Sequence, residues 1–204
     1  MPPAPIDNIM HFVTNKIVSI YLDKQMAPSK GISLGTITYG GLDQKHCNSA
    51  GPIQTFQLNE NDDAYFVLNV DNIQYGGFKS TKGGVAFFDS GVSRLQVRSK
   101  ELSKIYEEAK ATYDWDSGLY AVSCSEISNL PTFQITANGQ QLKVEAANYV
   151  ADLDLKGGVC AMSFEFVNED IYEAENYVFG TPIFRQYCLT FEMSQNQLIT
   201  YEHL

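Results

Sequence analysis

Val85-Ala86-Phe87-Phe88-Asp89-Ser90-Gly91 sets a carboxylate at the end of a continuous apolar run. Four apolar residues in a row, β-branched or aromatic for the most part, predict a short strand buried on both faces. A carboxylate is costly to bury without partners, so an acid at the end of such a strand belongs to a surface or to a built site. The serine adds a hydroxyl. The glycine lets the chain turn tightly and approach another backbone closely. Asp89 is therefore a candidate catalytic residue. The chain carries its own control: Asp116-Ser117-Gly118 follows Tyr113-Asp114-Trp115 and precedes Leu119-Tyr120. That polar setting reads as a hairpin turn, and only the apolar run in front of Asp89 separates the two copies.

Outward from this stretch, strand and turn patterns dominate. Ile32–Tyr39, Tyr65–Ile73, Leu119–Cys124, Thr132–Thr136, Gln141–Val144 and Tyr187–Phe191 are rich in β-favouring residues. Gly40-Gly41, Gly76-Gly77 and Asn138-Gly139 mark turns between them. Two helices are expected. Ile6, Ile9, Met10 and Val13 share one apolar face, and Leu102, Ile105, Tyr106 and Ala109 share another behind a capping Ser99. The fold class is mainly β: one β-rich domain of twisted antiparallel sheets with two short helices.

The 204 residues carry a formal net charge of −10. A surface that acidic repels phosphate backbones, and no Lys/Arg cluster offsets it, which argues against nucleic acid and anionic membranes as partners. No run approaches the roughly 18 apolar residues of a membrane span. Met1-Pro2-Pro3-Ala4-Pro5 lacks the basic start and apolar stretch of a secretory signal. An intracellular chain, or a piece of a longer one, is expected. Cys47, Cys124, Cys160 and Cys188 show no zinc-ligand spacing. They fit two disulfides or four buried thiols, and the disulfide case leaves three pairings open. His11, His46 and His203 fall in no Ser-His-Asp or Cys-His context, and Gly83-Gly84 lacks the lysine of a phosphate loop. Neither a metal nor a cofactor is implied.

Phe87-Phe88-Asp89-Ser90-Gly91-Val92-Ser93 resembles the Asp-Thr/Ser-Gly-Thr-Ser loop of pepsin-like aspartic proteases. The similarity extends along the chain. Asp7-Asn8-Ile9-Met10 and Val18-Ser19-Ile20-Tyr21-Leu22 resemble the helix and strand that link the two lobes of that family. Thr38-Tyr39-Gly40-Gly41-Leu42-Asp43 resembles its Phe-Gly-Gly-Ile-Asp. Val122-Ser123-Cys124-Ser125 followed by Leu130-Pro131 resembles its Val-Ser-Cys, Leu-Pro segment. Val178-Phe179-Gly180-Thr181-Pro182-Ile183-Phe184-Arg185-Gln186-Tyr187 resembles its Ile-Leu-Gly-Asp-x-Phe-Ile-Arg-Gln-Tyr.

The resemblance implies a single pepsin-like lobe. Residues 1–24 would form the interlobe helix and connecting strand, and 25–204 the carboxyl-terminal lobe. It implies Asp89 as catalytic, with Ser90, Gly91, Ser93 and Gly180 supporting its loop. It implies disulfides Cys124–Cys160 and Cys47–Cys188, hence an oxidising compartment, secreted or lysosomal. Val92 and Thr181 stand where the family usually has Thr or Ser and Asp. The chemistry needs two carboxylates sharing a proton, and only Asp89 is a candidate. The implied partners are a polypeptide substrate or protein partner, and an amino-terminal lobe or a second copy of the chain. The isolated monomer is expected to be inactive. A protease-like binding module without catalysis is the alternative. An apolar surface at the Ile6/Ile9/Met10/Val13 face is expected where the other lobe would pack.

Overall fold

The computed structural model describes residues 5–24, 34–59, 66–167 and 176–204. Ile32, Ser33 and Tyr65, at the starts of two expected strands, lie outside them. Four sheets form the framework of the described chain.

The two sheets that matter for the site have five strands each. One is antiparallel throughout, in the order Gly35–Tyr39, Ile17–Leu22, Cys188–Glu192, Gln197–His203, Cys47–Gln57. The other runs Phe164–Phe166, Leu95–Val97, Tyr177–Phe179, Gly84–Phe88, Val67–Val70. There Tyr177–Phe179 lies parallel to Gly84–Phe88 on one side and antiparallel to Leu95–Val97 on the other. This arrangement sets Tyr177–Phe179, distant in sequence, between Gly84–Phe88 and Leu95–Val97 at the sheet end where Asp89 follows Phe88. Two four-stranded sheets complete the fold. The first is Gln140–Val144, Phe133–Ala137, Asn72–Tyr75, Phe78–Ser80, and the second is Val150–Ala151, Val159–Met162, Leu119–Ser123, Thr112–Asp114.

The core between the sheets is aliphatic and aromatic: Leu68, Ile73, Leu95, Ile105, Phe133 and Phe179 are fully buried. Buried tyrosines find hydroxyl partners, as the cost of orphaned polar groups requires. Tyr75 and Tyr149 hydrogen-bond each other at 3.2 Å, and Tyr149 also donates to the Pro131 carbonyl. Asn138 and Gly139 both take positive φ, 49° and 72°, closing the hairpin between Phe133–Ala137 and Gln140–Val144. Asn-Gly tolerates that geometry at low cost.

Both disulfides form as the resemblance implies. Cys124–Cys160 and Cys47–Cys188 have Cα–Cα distances of 5.1 and 5.7 Å and span 36 and 141 residues. In the loop-entropy account they stabilise the fold by about 4 and about 5 kcal/mol.

Four expectations change. The Val85–Phe88 run is not buried on both faces: Ala86 and Phe88 are buried while Val85 and Phe87 are partly open, so the strand has an inner and an outer side. The first helix, Pro5–Met10, lays part of its apolar face on its own chain, with Ile9 half-buried. Met10 is buried, and Ile6 and Val13 pack against the core, whereas Phe12, beyond the helix end, is 89% exposed. The second helix, Ser99–Ala109, is capped by Arg98 and not by Ser99. The Arg98 guanidinium reaches Glu101, the Tyr177 hydroxyl and the carbonyls of Lys82 and Gly83, and Arg98 stays extended as the N-cap. Two further short helices, Ala146–Tyr149 and Thr181–Gln186, were not foreseen as helices.

Candidate active site

The loop that follows Gly84–Phe88 rests on aromatic rings. Phe88 meets Phe179 and Phe191 edge-on at 5.7 and 6.0 Å, and Phe66 lies 3.9 Å from Phe191. These contacts give the loop a packed aromatic floor. Backbone hydrogen bonds then bind it to the chain near residue 180. The Asp89 N–H donates to the Phe179 carbonyl at 3.2 Å, the Thr181 N–H to Val92 at 2.7 Å, and the Gly180 N–H to Arg94 at 3.1 Å. Within the loop, Val92 N–H donates back to the Asp89 carbonyl at 3.2 Å.

Gly180 permits this crossing. A Cβ there would lie 2.2 Å from the Val92 carbonyl oxygen and 2.3 Å from that of Arg94, closer than any side chain allows. Gly91 has a different role: its N–H donates to Asp89 Oδ1 at 2.8 Å and fixes the orientation of that carboxyl. Asp89 is half-buried, while Ser90, Gly91 and Ser93 are exposed. The carboxyl therefore sits at the mouth of the loop and is reachable from outside, held by a peptide N–H from its own turn.

The structure brings Asp89, Ser90, Gly91, Ser93 and Gly180 into one place. It also adds residues that sequence reasoning passed over. A cleft of about 200 Å³ beside the loop is lined by Ser93, Arg94, Leu119, Met162 and Arg185, among others. Arg94 pairs with Glu165 at 2.7 Å. Burial pushes the Arg185 guanidinium's pKa down. The arginine in Ile-Phe-Arg-Gln-Tyr was the signal that could have flagged the latter. Thr181 Oγ1 is buried with no hydrogen-bond partner among the described residues.

No other described cluster competes as a reaction centre of metal type. Cys124, Asp152 and Cys160 lie within ligand reach of one another, but the two sulfurs are bonded together and offer no thiolate. Asp116-Ser117-Gly118 forms the turn of the Thr112–Asp114/Leu119–Ser123 hairpin, with Gly118 N–H donating to the Asp114 carbonyl at 2.8 Å.

The loop crossing can now be set beside known proteins. The family model described as eukaryotic aspartyl protease matches residues 3–201. The chain belongs to the eukaryotic aspartyl protease family. Among its relatives, "Aspartic protease 1" of Caenorhabditis elegans is 29% identical over 182 residues, covering 89% of this chain and 45% of that protein. "Pepsin-3" of Oryctolagus cuniculus is 28% identical over 188 residues, 91% of this chain and 45% of that protein. "Gastricsin" of Macaca fuscata fuscata is 25% identical over 193 residues, 91% and 47%. The chain spans about half the length of the curated relatives it matches. Membership in an aspartyl protease family fits a mostly β molecule in which an apolar strand delivers Asp89 to an accessible, backbone-clamped turn.

Proposed function

We propose that this chain is the carboxyl-terminal lobe of an aspartic endopeptidase, and that Asp89 is one of its two catalytic carboxylates. The observation that carries the reading is the backbone crossing of the Asp89 loop with Gly180. It holds the loop in place while the Gly91 N–H directs an accessible carboxyl, as general acid–base work on a water molecule requires. Two close carboxylates cannot both ionise, so one is an acid and the other a base. The base takes a proton from water as the water oxygen bonds to the peptide carbonyl carbon. The acid gives its proton to the carbonyl oxygen. A single lobe with Asp89 alone supplies half of this pair. The second carboxylate would come from an amino-terminal lobe, in a longer chain or by association, or from a second copy. The two disulfides support a secreted or lysosomal setting.

A second reading has specific support. Val92 puts no hydroxyl next to the motif glycine, and Thr181 occupies the position after Gly180 where the family usually has Asp. These two changes favour a lobe that binds polypeptides without cutting them.

One experiment separates the readings. Hydrolysis of a general protein substrate is followed from about pH 3 to 7, a range in which paired carboxylates titrate, at several protein concentrations. The monomeric chain is expected to be inactive. Any activity should appear with a second lobe or with self-association, fall on dilution in the latter case, and vanish in Asp89→Asn. Concentration-independent cleavage by a proven monomer would refute the two-carboxylate requirement for this chain. No cleavage by the two-lobed protein at any of these pH values would leave the binding reading.

A further inference from the structure

Outside the Asp89 loop, four aromatic rings form a row that the chemistry above does not use. Tyr106, on the helix Ser99–Ala109, stacks on Tyr120 with centroids 3.9 Å apart. Tyr120 meets its cross-strand partner Tyr113 edge-on at 5.3 Å, and Tyr113 meets Trp115 edge-on at 4.8 Å. The row stays at the surface: Tyr120 is 38% exposed, Tyr113 41% and Trp115 87%. A single exposed ring is ordinary, but a contiguous run of them marks an interaction site. A hollow of about 450 Å³, lined by Leu102, Tyr106, Lys110 and Tyr120 among others, continues it.

Two other features say what would lie there. The strand Thr112–Asp114 is the last of its sheet, and Thr112 and Tyr113 are exposed, so its outer edge is open among the described residues. An open edge is a template for another extended strand. The hairpin 112–119 also carries Asp114 and Asp116 and no Lys or Arg. Ser117 holds the Asp114 carboxyl below the ordinary aspartate range: its hydroxyl lies nearby without a well-formed hydrogen bond, and its N–H donates to Asp114 Oδ2 at 3.0 Å. The carboxylate's negative charge therefore persists into acid conditions. A negative hairpin tipped by an indole favours a cation, and tryptophan is the best aromatic partner for one.

We propose that this hairpin is a docking surface for an extended, arginine-bearing segment of the polypeptide substrate, which adds a strand beside Thr112–Asp114 and lays a guanidinium over Trp115. The proposal rests on the peptidase reading for the identity of the polypeptide as substrate. Main-chain bonds at the edge supply affinity for any extended segment. The ring and the acids supply the preference for arginine.

The test uses two fluorescein-labelled peptides in which valine and threonine alternate with arginine or, in the control, with glutamate. Binding is read by anisotropy with the full protein carrying Asp89→Asn, so that cleavage does not consume the probe. The arginine peptide should bind, and Trp115→Ala should weaken it about tenfold or more, as for a central aromatic contact. Asp116→Asn should weaken it severalfold, and the glutamate peptide should bind at least about tenfold less tightly. With Asp89 intact, Trp115→Ala should leave kcat/KM unchanged for a short peptide and raise KM for a long arginine-bearing one. Equal affinity of the two peptides, or undiminished binding in Trp115→Ala, overturns the docking surface. Full hydrolysis by the Asp89→Asn protein overturns the peptidase reading instead, and the anisotropy result still decides the docking.

Discussion

Asp-Ser-Gly occurs at 89–91 and again at 116–118, and the two copies bond in different directions. At 89–91 the backbone reaches far along the chain: Asp89 is tied to Phe179, and Val92 to Thr181. At 116–118 every recorded backbone tie is local: Gly118 and Ser117 both donate to Asp114. The glycines differ as well. Gly118 takes φ +73°, the left-handed geometry of a hairpin turn, whereas Gly91 is not among the positive-φ residues and instead offers its N–H to Asp89 Oδ1. Three residues alone do not make a site. What precedes them decides whether the turn closes on itself or is held against a distant strand. Phe87-Phe88 carries the first copy into a five-stranded sheet, while Asp114-Trp115 leaves the second at a solvated hairpin tip.

The sharpest way to break this comparison is to neutralise each first residue. If the proposed peptidase reading holds, Asp89→Asn should abolish the activity of the chain paired with a second lobe, by about a thousandfold or more, the scale on which loss of a central catalytic group registers. Asp116→Asn should leave hydrolysis of a short peptide within about twofold, the scatter of an ordinary surface change. Comparable losses from both, measured as kcat/KM, would erase the distinction drawn here.

A smaller effect separates the glycines on which each loop depends. Gly180→Ala drives a Cβ into the carbonyl oxygens of Val92 and Arg94. These are backbone atoms that cannot step aside, and the cost should be about 3 kcal/mol or more. Gly118→Ala meets no close atom beyond the Tyr113 hydroxyl at 3.7 Å, but must hold a positive φ. That costs about 1–2 kcal/mol. Urea unfolding of both variants reads the difference directly. If Gly180→Ala were the milder of the two, the close crossing would not be what holds the Asp89 loop.

How much of this was legible beforehand follows from the same contrast. The apolar run before Asp89, the Asn138-Gly139 turn and the face of the helix at 99–109 are local signals, and they appear where the pattern places them. The pairing of the four cysteines came only through family likeness, because spacing alone left three options open. What failed was nonlocal. Whether Val85–Phe88 is covered on one face or two depends on what packs over Phe87. The first helix was expected to present its apolar side outward, but Met10 lies against the chain's own core. Arg98, extended at φ −61° and ψ 146°, takes the cap position ahead of Ser99, and no side chain caps this helix end. The helix Thr181–Gln186 did carry a local mark, Pro182 in its first turn, which is a helix-start signal that the strand-like residues around it obscured.

The finest test lies within the 116–118 turn and concerns a charge. Ser117 lowers the Asp114 pKa through its side chain, whose hydroxyl lies near the carboxyl without a well-formed hydrogen bond, and through its backbone N–H, the firmer tie. The sign follows from linkage. A carboxyl whose folded pKa lies below its unfolded value contributes stability that is present above the unfolded value, near 3.9, and lost as pH falls through the folded one. Ser117→Ala removes the hydroxyl but keeps the N–H that donates at 3.0 Å. The Asp114 midpoint, followed by carboxyl NMR, should therefore rise part of the way toward the ordinary value and stop short of it. The folded state should then gain less from the ionised Asp114 just above pH 4, with no change in the peptidase activity proposed for Asp89. A midpoint unmoved by Ser117→Ala would assign the whole effect to the backbone. A matching shift in the acid limb of kcat would show that the two Asp-Ser-Gly copies are coupled, contrary to their separate bonding.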